Sequence, residues 1–286
     1  MGWQKVDGLL TQLAVGRGNN VWGVNAQDNI FRYINGTWRQ VQGAATYVGV
    51  GADGTVWVVN RLNQIFTWVD YAWIQIFGSL VQISGKLLLI VGDKTHVWGV
   101  NNASVIYFRI NGDINTNNLI WTPVFGSLID VSVASDGTVW GVSSTHDIYK
   151  WAGYDWIQVG GKLKQIYVSS RDLIVGVNDN NEIFQYVNNT WHQLDGSFRY
   201  VAISIDGILW GINNGSEIFT RQDNLISQID SNNNSQTINH GTNDSQSNSN
   251  IIIGLAMGLG LTIIIFSIAI LIIVRHYKKA SILRVT

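Results

Sequence analysis

Six tryptophans recur at nearly constant spacing and divide most of the chain into repeats. They are Trp3, Trp38, Trp73, Trp121, Trp156 and Trp191, at intervals of 35, 35, 48, 35 and 35 residues. A period of this size indicates a repeat architecture, in which each repeat forms one supersecondary unit and neighbouring units bury each other's apolar faces. The period constrains the fold more strongly than any other feature of the chain.

Each repeat contains the same landmarks, and these indicate short β-strands. An apolar run, mostly centred on a tryptophan, recurs at residues 21–25, 56–60, 97–101, 139–142, 174–178 and 209–213. An aliphatic–aromatic pair follows each run, as in Ile30-Phe31 and Ile65-Phe66. Short runs of Val, Ile and aromatic residues, separated by Gly, Asn and Asp, are typical of strands. Tight hairpin turns are predicted at Asn35-Gly36, Asp53-Gly54, Asp136-Gly137 and Asp206-Gly207.

Four antiparallel strands per repeat, six times over, favour a ring of six blades. Four-stranded sheets arranged around an axis can bury their faces against each other. The residues eleven positions after the six tryptophans are Ala14, Gly49, Ser84, Ser132, Tyr167 and Ala202. Five of these are small, as expected where strands converge on an axis. Tyr167 is the exception and a candidate plug for the channel.

The ends of the ring are predicted to meet. The sixth repeat stops near Gln222 without an outer strand, whereas the segment from Trp3 to Val6 resembles the outer strands of other repeats. We therefore expect the N-terminal strand to complete the last blade, which leaves no open blade. The predicted fold is an all-β, six-bladed β-propeller of four-stranded antiparallel blades over residues 1–222, with one C-terminal transmembrane α-helix.

The character of the sequence changes after the propeller. Residues 223–250 are rich in Asn, Ser, Gln and Thr and are predicted to form a flexible polar stalk. The stretch from Ile251 to Val274 has no charged residue and is long enough to cross a bilayer as a helix. Gly254 and Gly258 give it a small-xxx-small spacing, which permits a weak homodimer through the helix. Residues 275–286 form a short basic tail.

The charges beside the apolar stretch predict a single-pass membrane protein. Arg275, Lys278 and Lys279 follow it directly, and residues 222–250 contain no Lys or Arg, which favours a cytoplasmic tail and an extracellular or lumenal propeller. Six N-glycosylation sequons agree with that orientation: Asn35, Asn102, Asn188, Asn214, Asn233 and Asn243. No signal peptide precedes Trp3. A tail-anchored protein with a cytosolic propeller is therefore the alternative.

The composition argues against several function classes. The chain has no Cys, and its five His belong to no metal-binding or catalytic motif, so we expect no metal, no cofactor and no enzyme activity. Residues 1–224 carry 14 Lys and Arg against 17 Asp and Glu, which gives no basic surface for a nucleic acid. Binding is therefore the expected kind of function.

Candidate binding residues come from aromatic and amide side chains. The tryptophans that open the repeats, and those in the apolar runs, are expected to pack between blades. Trp68 and Trp151 belong to neither series, so exposure would let their rings stack on a sugar. The asparagines that end the apolar runs are further candidates for reading sugar hydroxyls: Asn25, Asn60, Asn101, Asn178 and Asn213.

The full repeat pattern resembles the tectonin β-propeller repeat. The resemblance rests on Trp-x-x-Val, on Val-Trp-Gly-Val-Asn, and on Ile-Phe-x-Tyr before the next Trp, and it covers residues 3 to about 222. It implies a six-bladed propeller and, as in the lectin members of that family, binding of glycans or bacterial lipopolysaccharide. Val175 in place of the repeated Trp and the long third repeat depart from the pattern. The alternative function is a non-enzymatic scaffold for protein interactions.

Overall fold

The computed structural model describes residues 2–17, 20–51, 54–85, 95–111 and 121–222. Within these ranges it contains 24 β-strands, all of them inside a compact unit that comprises residues 1–231. No helix in the described ranges is long and apolar enough to cross a membrane. The predicted stalk at 223–250, transmembrane helix at 251–274 and basic tail at 275–286 lie outside the described residues.

The strands form six four-stranded antiparallel sheets, as the sequence predicts. Blade 1 contains β2 (Gln12–Val15), β3 (Val21–Val24), β4 (Asn29–Ile34) and β5 (Thr37–Ala44). Blade 2 contains β6 (Tyr47–Val50), β7 (Val56–Val59), β8 (Gln64–Val69) and β9 (Ala72–Ser79). Blade 3 contains β10 (Gln82–Gly85), β11 (Thr95–Val100), β12 (Val105–Asn111) and β13 (Thr122–Ser127).

The remaining blades repeat this order. Blade 4 contains β14 (Asp130–Val133), β15 (Val139–Val142), β16 (Asp147–Trp151) and β17 (Trp156–Lys162). Blade 5 contains β18 (Gln165–Ser170), β19 (Leu173–Val177), β20 (Glu182–Val187) and β21 (Thr190–Ser197). Blade 6 contains β22 (Tyr200–Ile203), β23 (Ile208–Ile212), β24 (Glu217–Gln222) and, as its outer strand, β1 (Gln4–Leu9).

The N-terminal strand closes the ring, which confirms the prediction. Strand β1 runs antiparallel to β24, with Gln4 opposite Thr220 and Val6 opposite Ile218. The inner strands of neighbouring blades contact one another around the axis, and β22 contacts β2. Blades 6 and 1 are therefore in contact at the axis. In addition, the strand that precedes blade 1 in the chain belongs to the sheet of blade 6.

Each inner strand is the first of its blade, and its third residue lies in the narrowest part of the ring. A side chain at Gly49 would place its Cβ 2.5 Å from the carbonyl oxygen of Ile83 in the next blade, so the small residue is required there. Tyr167 fills the space that the small residues leave. Its hydroxyl donates to the carbonyl oxygen of Val15 at 2.7 Å and accepts from the Val15 N–H at 2.8 Å, past blade 6.

The first residues of the six inner strands form a polar ring around the axis, in which five are buried and Tyr47 is half-buried. They are Gln12, Tyr47, Gln82, Asp130, Gln165 and Tyr200. The Gln165 amide donates to the carbonyl oxygen of Val201 at 3.1 Å and accepts from the Val201 N–H at 3.1 Å. This side chain therefore makes two hydrogen bonds from blade 5 to the backbone of blade 6. These paired amides satisfy polar groups that would be costly to bury alone.

Antiparallel pairing gives the propeller two faces. The hairpins that join the first strand to the second, and the third to the fourth, lie on what we call the upper face. The lower face carries the connections between blades and the hairpin that joins the second strand to the third. These second-to-third connections, the lower loops, are residues 25–28, 60–63, 101–104, 143–146, 178–181 and 213–216.

Candidate functional site

Aromatic rings meet at the boundaries between blades. Trp22, on the second strand of blade 1, contacts Trp68 and Trp73 of blade 2, with ring centroids 5.9 and 6.2 Å apart. Trp68 and Trp73 are themselves 4.7 Å apart. We call this arrangement of second-strand residue, third-strand residue and opening tryptophan a boundary trio. Such edge-to-face and tilted contacts stabilise a pair beyond the burial of its surface.

Trp68 and Trp151 belong to neither the opening tryptophans nor the apolar runs, and the structure places them in a third repeated position, on the third strand of each blade. The equivalent third-strand residues are Tyr33, Trp68, Arg109, Trp151, Tyr186 and Arg221. Trp151 packs at 5.6 Å from Trp98 and 5.1 Å from Trp156. Both candidate tryptophans are half-buried against the core, and sugar stacking on them stays a prediction.

The opening tryptophans also tie each blade to the one before it. The Trp73 indole Nε1 donates to the carbonyl oxygen of Gln42 at 2.8 Å. The same bond, between 2.7 and 3.0 Å, is made by Trp3, Trp121, Trp156 and Trp191. The residue after each acceptor is a glycine with positive φ, such as Gly43 at 123°, against which the indole packs. The buried Nε1 of Trp38 is the exception, since it has no hydrogen-bond partner in the described structure.

This difference predicts unequal effects of the same substitution. Trp73→Phe and Trp38→Phe both replace an indole by the smaller phenyl ring, but only Trp73→Phe removes a hydrogen bond. One hydrogen bond contributes about 1 kcal/mol to stability. We therefore expect Trp73→Phe to lower the free energy of unfolding by about 1 kcal/mol more than Trp38→Phe. Urea denaturation measures both, and equal midpoints at equal slope would contradict the assignment.

The candidate asparagines hold the lower loops in shape. The Asn60 Oδ1 accepts the backbone N–H groups of Leu62 at 3.0 Å and Gln64 at 2.9 Å. Asn25, Asn101 and Asn178 make the same pair of bonds, and Asn213 makes the bond to the fourth residue after it. These oxygens therefore stabilise the turns of the lower loops. Sugar binding through the asparagines stays a prediction.

A polar pocket opens on the upper face between blades 4 and 5. Its volume is about 250 Å³. The aromatic part of its lining is Trp140 and Tyr186, whose ring centroids are 5.0 Å apart. The polar part of its lining consists of Lys150, Arg171, Asp172, Asn188 and Asn189. We call it the 4/5 pocket.

The side chains of the 4/5 pocket are held in place from both blades. The Lys150 Nζ lies 6.0 Å from the centre of the Trp140 ring, and the Arg171 Nε donates to the Asp136 Oδ2 at 3.2 Å. The Trp140 Nε1 is buried without a hydrogen-bond partner in the described structure. Tyr186 is half-buried. The exposed part of its ring lies beside cationic, carboxylate and amide side chains, which can donate or accept hydrogen bonds.

A second cavity lies on the lower face between blades 6 and 1, where the ring closes. Its volume is about 440 Å³, and we call it the seam cleft. Leu9, Phe31, Trp38 and Ile218 give it a mostly apolar lining, and no residue in the lining carries a charge. The two cavities therefore differ in chemistry, one polar and aromatic, the other apolar.

The comparisons with known proteins agree with this architecture. The model of the Tectonin domain family matches residues 9–190, which is more than half of the chain. The chain belongs to the tectonin domain family. Tectonin-1 of Physarum polycephalum is 39% identical over 54 residues, which is 19% of this chain and 22% of that protein. The match thus covers about a fifth of that relative's length.

Two solved structures resemble the tectonin propeller in fold. The SapL1 lectin, solved in complex with alpha methyl fucoside, has a TM-score of 0.54 at 15% identity and covers 73% of this chain and 90% of its own. The β-propeller domain of Cps50 (Swd1) from Myceliophteria thermophila has a TM-score of 0.55 at 8% identity, covering 76% and 98%. At such identities the likeness shows a shared fold.

The sequons within the described part of this tectonin domain are accessible. Asn35 and Asn188 lie in exposed hairpin turns of the upper face, and Asn102 and Asn214 in exposed lower loops. Asn233 and Asn243 lie outside the described residues. Asn188 also lines the 4/5 pocket, so a glycan attached there would stand at the pocket entrance.

Neither cavity follows from the motifs of the tectonin repeat alone. The seam cleft depends on small residues, since Ala26 stands at the loop position that Arg61 occupies in blade 2. Aligning the lower loops of the six repeats would have revealed this difference. The 4/5 pocket combines residues of two consecutive repeats, so no single motif contains it.

Proposed function

We propose that this protein is a membrane-anchored, lectin-like tectonin that binds glycans or microbial lipopolysaccharide through its propeller. The observation that carries the proposal is the 4/5 pocket, where an accessible aromatic ring stands beside amide, carboxylate and cationic side chains. Sugars have apolar C–H faces that pack on aromatic rings and hydroxyls that need both donors and acceptors. The tectonin family and the fold shared with a lectin support it.

The pocket suggests a role for each kind of side chain. The ring of Tyr186 would pack on the sugar face, with Trp140 behind it. Lys150 and Arg171 would donate to hydroxyl oxygens, and Asp172 would accept from hydroxyl groups. No step of this binding needs catalysis, a metal or a cofactor, and we propose that the protein is not an enzyme.

A glycan array tests the proposal with the full-length chain, kept in detergent because of its apolar stretch. Bacterial expression leaves Asn188 without a glycan. We expect sugar-competable binding, weakened about tenfold by Lys150→Gln because a hydrogen bond from a charged group contributes about 1.5 kcal/mol. Arg39→Gln is the matched control, since it removes the same charge from an exposed site in blade 1. Absence of any sugar-competable binding would refute the lectin function.

We propose that residues 251–274 span the membrane, with the propeller extracellular or lumenal and the tail cytoplasmic. The support is the basic flank at Arg275, the stretch without Lys or Arg before the span, and four accessible sequons on the propeller. Glycosylation of these sequons in a eukaryotic host would support this topology, and a cytosolic propeller would favour a tail-anchored arrangement.

A protein-interaction scaffold is the second candidate. Phe77 and Phe125, on the outer strands of adjacent blades 2 and 3, are 94% and 89% exposed. The equivalent residues of the other blades are Asp7, Gln42, Gly160 and Asp195. Neighbouring exposed aromatic residues are typical of protein interfaces. A negative glycan array would favour this function over the first.

A further inference from the structure

The lower loops of neighbouring blades are often bridged by side chains. The bridge joins the fourth residue of one loop to the second residue of the next. Asp28 pairs with Arg61 between blades 1 and 2, and His146 contacts Asp179 at 2.8 Å between blades 4 and 5. Between blades 5 and 6, the Asn181 amide donates to the Asn214 Oδ1 at 3.4 Å. These bridges close the lower face at three boundaries.

The boundary between blades 6 and 1 has no such bridge among its described loop residues. The fourth residue of the blade 6 loop is Ser216, and the second residue of the blade 1 loop is Ala26. The Ala26 methyl group cannot form a hydrogen bond with the Ser216 hydroxyl. Gly215, which precedes Ser216 in the loop, has no side chain that could form one instead. The seam cleft opens at this point, with a volume of about 440 Å³.

The same boundary contains an unused hydrogen-bond donor. Five opening tryptophans donate their Nε1 to the preceding blade, whereas the Nε1 of Trp38, which lines the seam cleft, is buried without a partner in the described structure. A buried donor left unsatisfied is unfavourable, and a ligand that places an acceptor beside it would remove that cost. The boundary between blades 6 and 1 therefore has both an open cleft and a buried N–H group without a hydrogen-bond partner in the described structure.

We propose that the seam cleft binds an uncharged apolar ligand that carries a carbonyl group, with the Trp38 Nε1 donating to the carbonyl oxygen. Leu9, Phe31 and Ile218 would contact the apolar part of the ligand. Because no charged residue lines the cleft, a charged ligand would lose its hydration without gaining an ion pair. The site is separate from the 4/5 pocket, and neither proposal depends on the other.

The test uses three eight- or nine-carbon probes that differ in one group. 2-Octanone has the carbonyl, 2-methyl-1-octene replaces its oxygen by a methylene group, and octanoate carries a charge. The full-length chain is kept in dodecyl maltoside, a detergent without a carbonyl, and the free ketone or alkene is measured in the headspace. The readout is the indole N–H resonance of Trp38, assigned by its loss in Trp38→Phe.

We expect saturable binding of 2-octanone with a downfield shift of the Trp38 resonance. The alkene should bind roughly three- to tenfold more weakly and without that shift, since it lacks one hydrogen bond. Octanoate should bind more weakly still. In Trp38→Phe the ketone and the alkene should bind equally, as read from other resonances of the cleft. Equal affinity of ketone and alkene for the native chain would overturn the proposal.

The second part of the test is a variant designed to close the seam cleft. Ala26→Arg combined with Ser216→Asp copies the pair that Arg61 and Asp28 form between blades 1 and 2. Aspartate suits position 216 because Ser216 has φ 64° and Asp28 has φ 65°. We expect this double variant to lose 2-octanone binding, whereas the single variant Ser216→Asp keeps it within about threefold. Binding by a folded double variant at native affinity would also overturn the proposal.

Discussion

Deletion of residues 1–9 is expected to abolish cooperative folding of the propeller, although it removes only one strand. Strand β1 is the outer strand of blade 6 and joins the two ends of the propeller within one sheet. Trp3 packs on Phe198 with ring centroids 4.5 Å apart and donates its Nε1 to the carbonyl oxygen of Asp195 at 2.7 Å. The deletion also exposes the backbone edge of β24, which favours aggregation.

The magnitude follows from the groups that are lost. Removing a fully buried tryptophan side chain costs about 3–5 kcal/mol, and domains are typically stable by about 5–15 kcal/mol. Trp3 is half-buried, so its own loss is smaller and the other lost groups add to it. The deletion removes Val6 and the β1–β24 hydrogen bonds as well. Thermal denaturation followed by circular dichroism, with light scattering for association, measures the result. A cooperative transition close to that of the full-length chain would show that blade 6 does not need β1.

A rearranged chain is the matched control for that deletion. Gln4 lies opposite Thr220, so the start of β1 is next to the end of β24. Residues 2–9 can therefore be moved to follow Gln222 through an added Asn-Gly turn of the kind at Asn35-Gly36. We expect this chain to melt cooperatively, because blade 6 regains its four strands in the same order. Its failure to fold would point to a role of the N-terminal position itself.

The extent of the sequence prediction depends on whether a feature belongs to one repeat or to two. The strands, the blade order and the closure by β1 follow from spacing, because each repeat carries its own strand and turn signals. Tyr167 stood out in one repeated position, and its hydroxyl reaches past blade 6 to the Val15 backbone of blade 1. The third-strand series was missed because Tyr33, Trp68 and Arg109 differ in type, although each follows the repeated isoleucine of its third strand by three positions.

The polar ring could be predicted from the sequence, although the repeat pattern alone did not draw attention to it. Its residues follow the opening tryptophans by nine positions each, so they have the same period as the tryptophans. Gln12, Gln82 and Gln165 alternate with Tyr47, Asp130 and Tyr200, a mixture that resembles surface sequence when each repeat is read alone. An alignment of the lower loops shows the small Ala26, but the seam cleft itself also depends on which loop residues of two repeats face each other, and that requires the structure.

The Asp130 carboxyl is the one member of the polar ring that should make stability depend on pH near neutrality. Burial raises its pKa from 3.8 to about 7, although it accepts the Ile166 N–H at 2.8 Å. Burial also raises the pKa of Tyr47 and Tyr200, so these neighbours stay neutral. The ring residues Gln12, Gln82 and Gln165 do not titrate.

The sign of the effect follows from the raised pKa. Below about pH 4 the Asp130 carboxyl is protonated in both the folded and the unfolded chain and does not affect the free energy of unfolding. Between about pH 4 and pH 7 the unfolded chain releases this proton and the folded chain retains it, so stability falls as the pH rises. The loss amounts to about 4 kcal/mol and is complete somewhat above pH 7.

Asp130→Asn is therefore expected to raise the free energy of unfolding above pH 7 by up to about 4 kcal/mol, and to change it little at pH 4. An amide at this position can accept the Ile166 N–H as the carboxylate does, and it bears no charge to be buried. Urea denaturation of both chains between pH 4 and pH 8 gives the difference directly. A difference that is constant across this range would contradict the assignment.

The reciprocal variant Gln165→Glu places a carboxyl where the ring holds an amide. The Gln165 amide both donates to and accepts from Val201, and a glutamate can make both bonds only while it is protonated. We therefore expect Gln165→Glu to acquire a fall in stability with rising pH that the native residue does not have. Because Asp130 and Gln165 occupy equivalent positions on adjacent inner strands, opposite changes in the two variants would assign the pH dependence to a charge buried in the ring.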